Sequence, residues 1–479
     1  MGGIRKNIIY SSLLVISTYL VPLFVFPYIS RILGPVNIGA IDTVEYVIDF
    51  CILCSMLGLT TFGIREIAKV RDDKEELSKT FSNLFFLNLV TTLVVISVLV
   101  ILMICVPFFI ERRFLLLVGI LKIVANLFWI EWFFKGLEDF RYITLRSLIV
   151  RLMFILSVYI FVKEQTDSFI YYLLWVSIYV CNAVFNWIYV NKFTVLSVKN
   201  LNLKRYIKPF FLLGAFAFLS AIYTQLNVPF LQYITGENSE VAFYTTSVRM
   251  YKIFIALFSA ISGVMIPRMS VLVNENKFDQ ISKLVDKNFR LLFYFALPII
   301  LFTFVFAGDF ISIIAGDEFV SADNPMRLAM LMLIIIGTEQ IFILQILIPM
   351  RCDKEIVIAA LSGVIVFVFF SFPIVSVYKS LGSVIIWMLS EFVVLLFVSY
   401  NVKKKINILF PFTFFIKALL ISLPLFIIGS FIYYLVQNVF LRLIVGSVVF
   451  LVYSLILDLK FYKLGIANRL SKLVFKLSK

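Results

Sequence analysis

Three carboxylates recur at one-turn spacing inside an apolar stretch: Asp42, Glu45 and Asp49 in IDTVEYVIDF. At i, i+3 and i+7 they share one face of a helix. Such a stripe can take up a proton or a small cation, or hold cations of neighbouring helices. A second pair has the opposite sign. Arg249 and Lys252 in SVRMYKIF are also one turn apart. Together they suit an anion, the guanidinium gripping a phosphate through two parallel hydrogen bonds. Lys122, Arg151 and Lys417 add positive charge to other apolar runs, and Glu131, Glu339 and Glu391 add negative charge. The structural alternative is that these groups form static ion pairs between helices, or snorkel from helix ends to water.

The elements that must position them follow from composition. Of 479 residues, 62% are hydrophobic, against about 45–50% in soluble domains. No soluble fold hides that much apolar surface, so the expectation is an all-α polytopic membrane protein. A span needs about 20 apolar residues. That predicts about fourteen: 8–29, 40–62, 81–106, 114–134, 146–162, 169–190, 209–233, 241–266, 289–307, 326–349, 356–376, 381–400, 412–435 and 438–458. The apolar run after Arg5 and Lys6 is too long for a signal peptide and reads as the first span. A charge at the bilayer centre costs at least about 2.5–3.5 kcal/mol, so charges placed there need a wet cavity or a partner.

The net charge of +15 raises nucleic acid as a partner, but its distribution argues otherwise. With the N-terminus in the cytoplasm, alternate connections and the span ends beside them hold 31 Lys and Arg on the inner side against 7 on the outer. That asymmetry is the positive-inside signal, with both termini cytoplasmic. The basic surplus then contacts anionic membrane lipids, not nucleic acid. The tail 459–479 alternates basic and apolar residues and reads as an interfacial helix, or as a partner-binding segment.

Several chemistries drop out. The chain has no histidine, which removes His triads, His relays and His metal ligation. Cys51 and Cys54 form one CxxC inside an apolar helix; with Cys105, Cys181 and Cys352 they read as packing residues, and no metal site is expected. No Gly-Lys dipeptide exists, so there is no P-loop to drive work with ATP. Asp309, Asp317, Glu318 and Asp323 are the only acidic cluster expected in the external loops, and they read as a short outer loop. No catalytic residue and no resident cofactor are expected.

A faint repeat places the charged stripes in register. Sliding 22–50 by 205 positions lays Tyr28-Ile29-Ser30 on Tyr233-Ile234-Thr235 and Tyr46 on Tyr251. Val44 then falls on Arg249 and Val47 on Lys252. If the two repeats face one another across a cleft, one wall is acidic and the other basic.

Seven stretches resemble the Wzx-type polysaccharide flippases of the MOP superfamily of multidrug, oligosaccharidyl-lipid and polysaccharide exporters. They are PYISRILGPVNIG (27–39), GIREIAKVRDDK (63–74), EWFFKGLEDFRYIT (131–144), LNVPFLQYITGENSEVAFYTTSVRMYK (226–252), IPRMS (266–270), GDEFVSAD (316–323) and QILIPMRCDKE (345–355). The resemblance implies two six-helix lobes around a central cavity, 1–200 and 201–405. Two further helices and the basic tail follow at 406–479. It implies a bacterial cytoplasmic-membrane protein, not an enzyme, that moves undecaprenyl-pyrophosphate-linked oligosaccharide (O-antigen or capsule repeat units) to the outer leaflet by alternating access. Other polysaccharide assembly proteins are possible partners. Pyrophosphate-binding residues would be Arg249 and Lys252, with Arg31 and Lys122 in support. Asp42, Glu45 and Asp49 would be the counter-charges, coupling transport to H+ or Na+. The rivals are a lipid II flippase or a multidrug extruder of the same superfamily and, more remotely, a membrane glycosyltransferase or polymerase.

Overall fold

The computed structural model describes residues 2–198 and 201–465. The expected interfacial helix of the tail lies largely outside these. The described chain is almost wholly helical, with no strand among the described residues. It forms two compact units, Met1–Ala242 and Phe243–Lys479.

Eleven helical stretches among the described residues are long and apolar enough to cross a bilayer, against the fourteen expected. One reason is continuity. Gly2–Met56 is 55 residues and breaks at Gly34, whose φ of 69° and ψ of 171° are non-helical. Unbroken it would run about 80 Å, more than twice the hydrocarbon thickness. Asp353–Ile406 is 54 residues and breaks at Lys379, φ 48° and ψ −123°. Here the chain folds back on itself. A Cβ on Gly382 would lie 2.7 Å from the Ile374 carbonyl oxygen, so no larger residue fits the tip. At the open end Lys405 Nζ meets Glu355 Oε1 at 3.1 Å. The expected spans 356–376 and 381–400 are thus the two arms of a hairpin.

Helices also outrun their apolar windows. Phe278–Ala315 extends a full amphipathic segment beyond the expected 289–307. Lys74–Cys105 begins seven residues before 81, where the Asp73 carboxylate accepts from the Glu75 and Glu76 amides.

The units are built inside out relative to soluble proteins. Leu93, Val94, Ile101 and Ile104 of Lys74–Cys105 are exposed, while Asn83, Asn88 and Thr92 of the same helix are buried. Lipid tails solvate the apolar face, and polar and small groups hold helices together. In the first unit, Phe81 packs on Trp132 and Phe133, and Phe85 on Trp187, in a cluster that also buries Phe134 and Phe210. In the second, Phe302, Phe306 and Phe450 fix Val439–Leu457 against Phe278–Ala315. Asp309 lies inside that latter helix rather than in an outer loop, and Arg442 grips both its oxygens at 2.9 and 2.8 Å. Asp317 and Glu318 do sit in a short exposed turn.

Candidate ion and substrate site

Gly119 of helix Arg113–Trp129 is the point of closest approach to the acidic helix. A Cβ there would strike Ile48, which lies between Glu45 and Asp49. The glycine lets the two backbones close in. One turn on, Lys122 is fully buried. Its ammonium ion-pairs with Glu45 Oε1 and lies 2.7 Å from Asp49 Oδ1. It also lies 4.4 Å from the centroid of the Tyr179 ring, close enough for a cation–π contact. Trp175, one turn before Tyr179, donates its indole N–H to Glu45 Oε1 at 2.7 Å. The second Glu45 oxygen is buried with no hydrogen-bond partner among the described residues. One cation between two carboxylates leaves one formal negative charge. That is the charge a proton or a monovalent cation would neutralise.

The triad is sealed on one side and open on the other. Asp49 borders a cavity of about 260 Å³ shared with Asn126, Trp129, Glu131, Lys135 and Tyr179. Glu131 there pairs with Lys135 at 2.7 Å and accepts from the Trp129 indole at 2.9 Å. Arg146 stands 3.6 Å from Glu131 and bonds the Asn186 side chain, which in turn caps the Trp129 carbonyl. That carbonyl is freed because the chain breaks at Ile130, φ 27°.

Two expectations change here. Lys122 was expected to bind pyrophosphate; instead its ammonium is enclosed by Glu45, Asp49 and Tyr179. And the cation that Glu45 and Asp49 share is Lys122, on helix Arg113–Trp129. Burial explains both: a lysine this far from water is held only by anions within reach. Asp42 is buried at 6% exposure. Arg31 is exposed and donates to the Pro27 carbonyl at 2.6 Å. Arg249 is half-buried and Lys252 exposed, one turn apart on Asn238–Asn274. Arg151 bonds Ser17, and Lys417 is exposed near the start of Phe412–Leu435, as a snorkelling side chain would be.

Within the second unit, Glu339 and Glu391 are both buried. Trp387 donates to Glu391 Oε1 at 3.1 Å and packs edge-on against Tyr251, centroids 5.5 Å apart. An indole–carboxylate bond thus recurs in each unit. Sequence spacing did not point to Trp175, Tyr179 or Trp387. The available signal was an indole or phenol in a span that also carries, or faces, a carboxylate. No cluster of three or more metal-ligating side chains occurs among the described residues.

Eleven helices among the described residues, long and apolar enough to span a bilayer and with ion pairs buried among them, define a multi-pass membrane protein. The chain belongs to the polysaccharide biosynthesis protein family, matched over residues 4–273. Two curated relatives carry the name of a proposed O-antigen transporter. That of Escherichia coli (strain K12) is 29% identical over 165 residues, 34% of this chain and 40% of its own length. That of Shigella dysenteriae is 24% identical over 419 residues, 83% of this chain and all of its own. Among solved structures, a lipid II flippase, MurJ, in an inward closed conformation is similar with a TM-score of 0.72 at 14% identity, covering 94% of this chain and 99% of that one. An inward-facing multidrug resistance MATE family transporter of the MOP superfamily gives 0.65 at 14% identity, covering 82% and 98%. These structures establish the MOP transporter fold. The names of the relatives are those of transporters, in line with a chain that is not an enzyme.

Proposed function

We propose that this protein moves an undecaprenyl-pyrophosphate-linked oligosaccharide from the cytoplasmic to the outer leaflet of a bacterial inner membrane by alternating access, both termini remaining in the cytoplasm. The observation that carries the reading is the family match, on a chain whose spans bury charge of both signs. Arg249 and Lys252 take the pyrophosphate, which is dianionic or more and favours paired cations.

The Lys122–Glu45–Asp49 triad supplies the coupling site. Its residual negative charge exchanges H+ or Na+ as the transporter changes state. One elementary charge moved through 100 mV supplies about 2.3 kcal/mol. A multidrug extruder handling organic cations has no use for the Arg249–Lys252 pair.

The test is complementation of a strain lacking its own O-antigen flippase. The intact chain is expected to restore surface glycan, and Arg249→Ala with Lys252→Ala to abolish it at unchanged membrane abundance. Full export by that double variant removes the anion-binding role. Rescue of a strain depleted of lipid II flippase, without rescue of glycan display, transfers the substrate to lipid II.

A further inference from the structure

A groove of about 550 Å³ opens between helices Phe140–Phe161 and Ser168–Val190 of the first unit, apart from the triad and its cavity. Its lining is graded. Arg141, Leu145 and Ile149 recur every four residues, so one ridge runs from a charged first turn to an apolar third turn. Leu145, Ile149 and Phe185 are 46%, 56% and 46% exposed on helices that meet the length and hydropathy of a span. Their surroundings are therefore acyl chains. Arg141, at the helix start, is exposed at the membrane boundary.

The charged end is built to hold an anion. Arg146 lines the same groove and is buried at 5% exposure. Its terminal nitrogens are engaged by Asn186 and Ser147 and one stands 3.6 Å from Glu131, but its Nε–H is buried with no hydrogen-bond partner among the described residues. A buried unmatched donor is costly unless a ligand supplies the acceptor. The single acid of the lining, Asp139, accepts from the Tyr142 amide at 3.2 Å and the Tyr189 hydroxyl at 3.1 Å. Those two tyrosines stack at 3.8 Å and form a rigid side wall. Two guanidinium groups above an apolar slot match an amphiphile with one anionic head. A nearby carboxylate disfavours a dianion more than a monoanion.

We propose that this groove binds an anionic glycerophospholipid, its phosphodiester between Arg141 and Arg146 and one acyl chain along Leu145 and Ile149 against Phe185. The ligand is a resident of the surrounding leaflet, distinct from the transported lipid.

Native mass spectrometry of the purified full chain tests this, with phosphatidylglycerol and phosphatidylcholine offered at equal concentration. Preferential retention of phosphatidylglycerol is expected. Arg141→Gln should lower that preference about fivefold, the value of one basic residue near an anionic lipid surface. Leu145→Trp, which fills the slot without touching charge, should lower retention as well. Arg146 is left intact because Asn186 and Glu131 depend on it. If neither variant changes the preference, or the intact protein retains both lipids equally, the proposal is overturned. Displacement of phosphatidylglycerol from the groove by undecaprenyl pyrophosphate at equal concentration would also overturn it, reassigning the groove to the substrate.

Discussion

Lys122→Leu is expected to leave little or no folded protein in the membrane. The ammonium is fully buried and holds two carboxylates one helical turn apart. Removing it strands Glu45, whose second oxygen already lacks a partner among the described residues, beside Asp49. Deleting one member of a buried ion pair costs about 3–5 kcal/mol, against a total stability of about 5–15 kcal/mol for ordinary proteins. Neutralising all three groups together should reverse the loss. Lys122→Leu with Glu45→Gln and Asp49→Asn removes the stranded charge and keeps the volumes close. Size-exclusion elution of a fluorescent fusion and melting followed by tryptophan emission read both results. The triple variant also separates structure from coupling. If it folds and still exports glycan, the triad is only a strut. If it folds and export stops, the residual charge belongs to the transport cycle.

Gly39→Val should be comparably severe for a different reason. Gly39 closes the stretch PYISRILGPVNIG, and a Cβ built there overlaps the main-chain carbonyl of Asn238. Both sides of the contact are backbone, so no rotamer relieves it. Overpacking typically costs about 1–3 kcal/mol, and more where nothing can move. The variant should express at a small fraction of the parent level and melt lower. Gly263→Ala is the matched control. It lies within Asn238–Asn274 with nothing within 4 Å of the added carbon. There the better helix propensity of alanine, about 1 kcal/mol, should raise the melting temperature slightly.

The fold was largely legible because bilayer thickness sets the length of apolar runs. What escaped was how they end. Charged amphipathic turns continue Phe278–Ala315 past its apolar window, and hydropathy cannot see a helix that leaves the membrane without stopping. Gly34 and Lys379 break the chain inside the expected gaps 30–39 and 377–380, but hydropathy does not show that helix runs up to each of them from both sides. The acidic stripe was readable from spacing alone, since i, i+3 and i+7 fix a face whatever surrounds it. Its cation was not. Lys122 lies 77 and 73 residues from Glu45 and Asp49, so no local spacing joins it to them. Asp309 misled in the same way. Acidic neighbours in sequence suggested a loop, while its partner Arg442 stands 133 residues on.

The reversal at Lys379 constrains how the chain lies in the membrane. With helix directly on both sides of the turn, there is no connecting stretch to thread across separately. A turn this tight keeps the two arms of Asp353–Ile406 antiparallel neighbours once both are in the bilayer. Lys403, Lys404 and Lys405 stay on the side where Glu355 entered, and the Lys405–Glu355 contact closes the pair behind them.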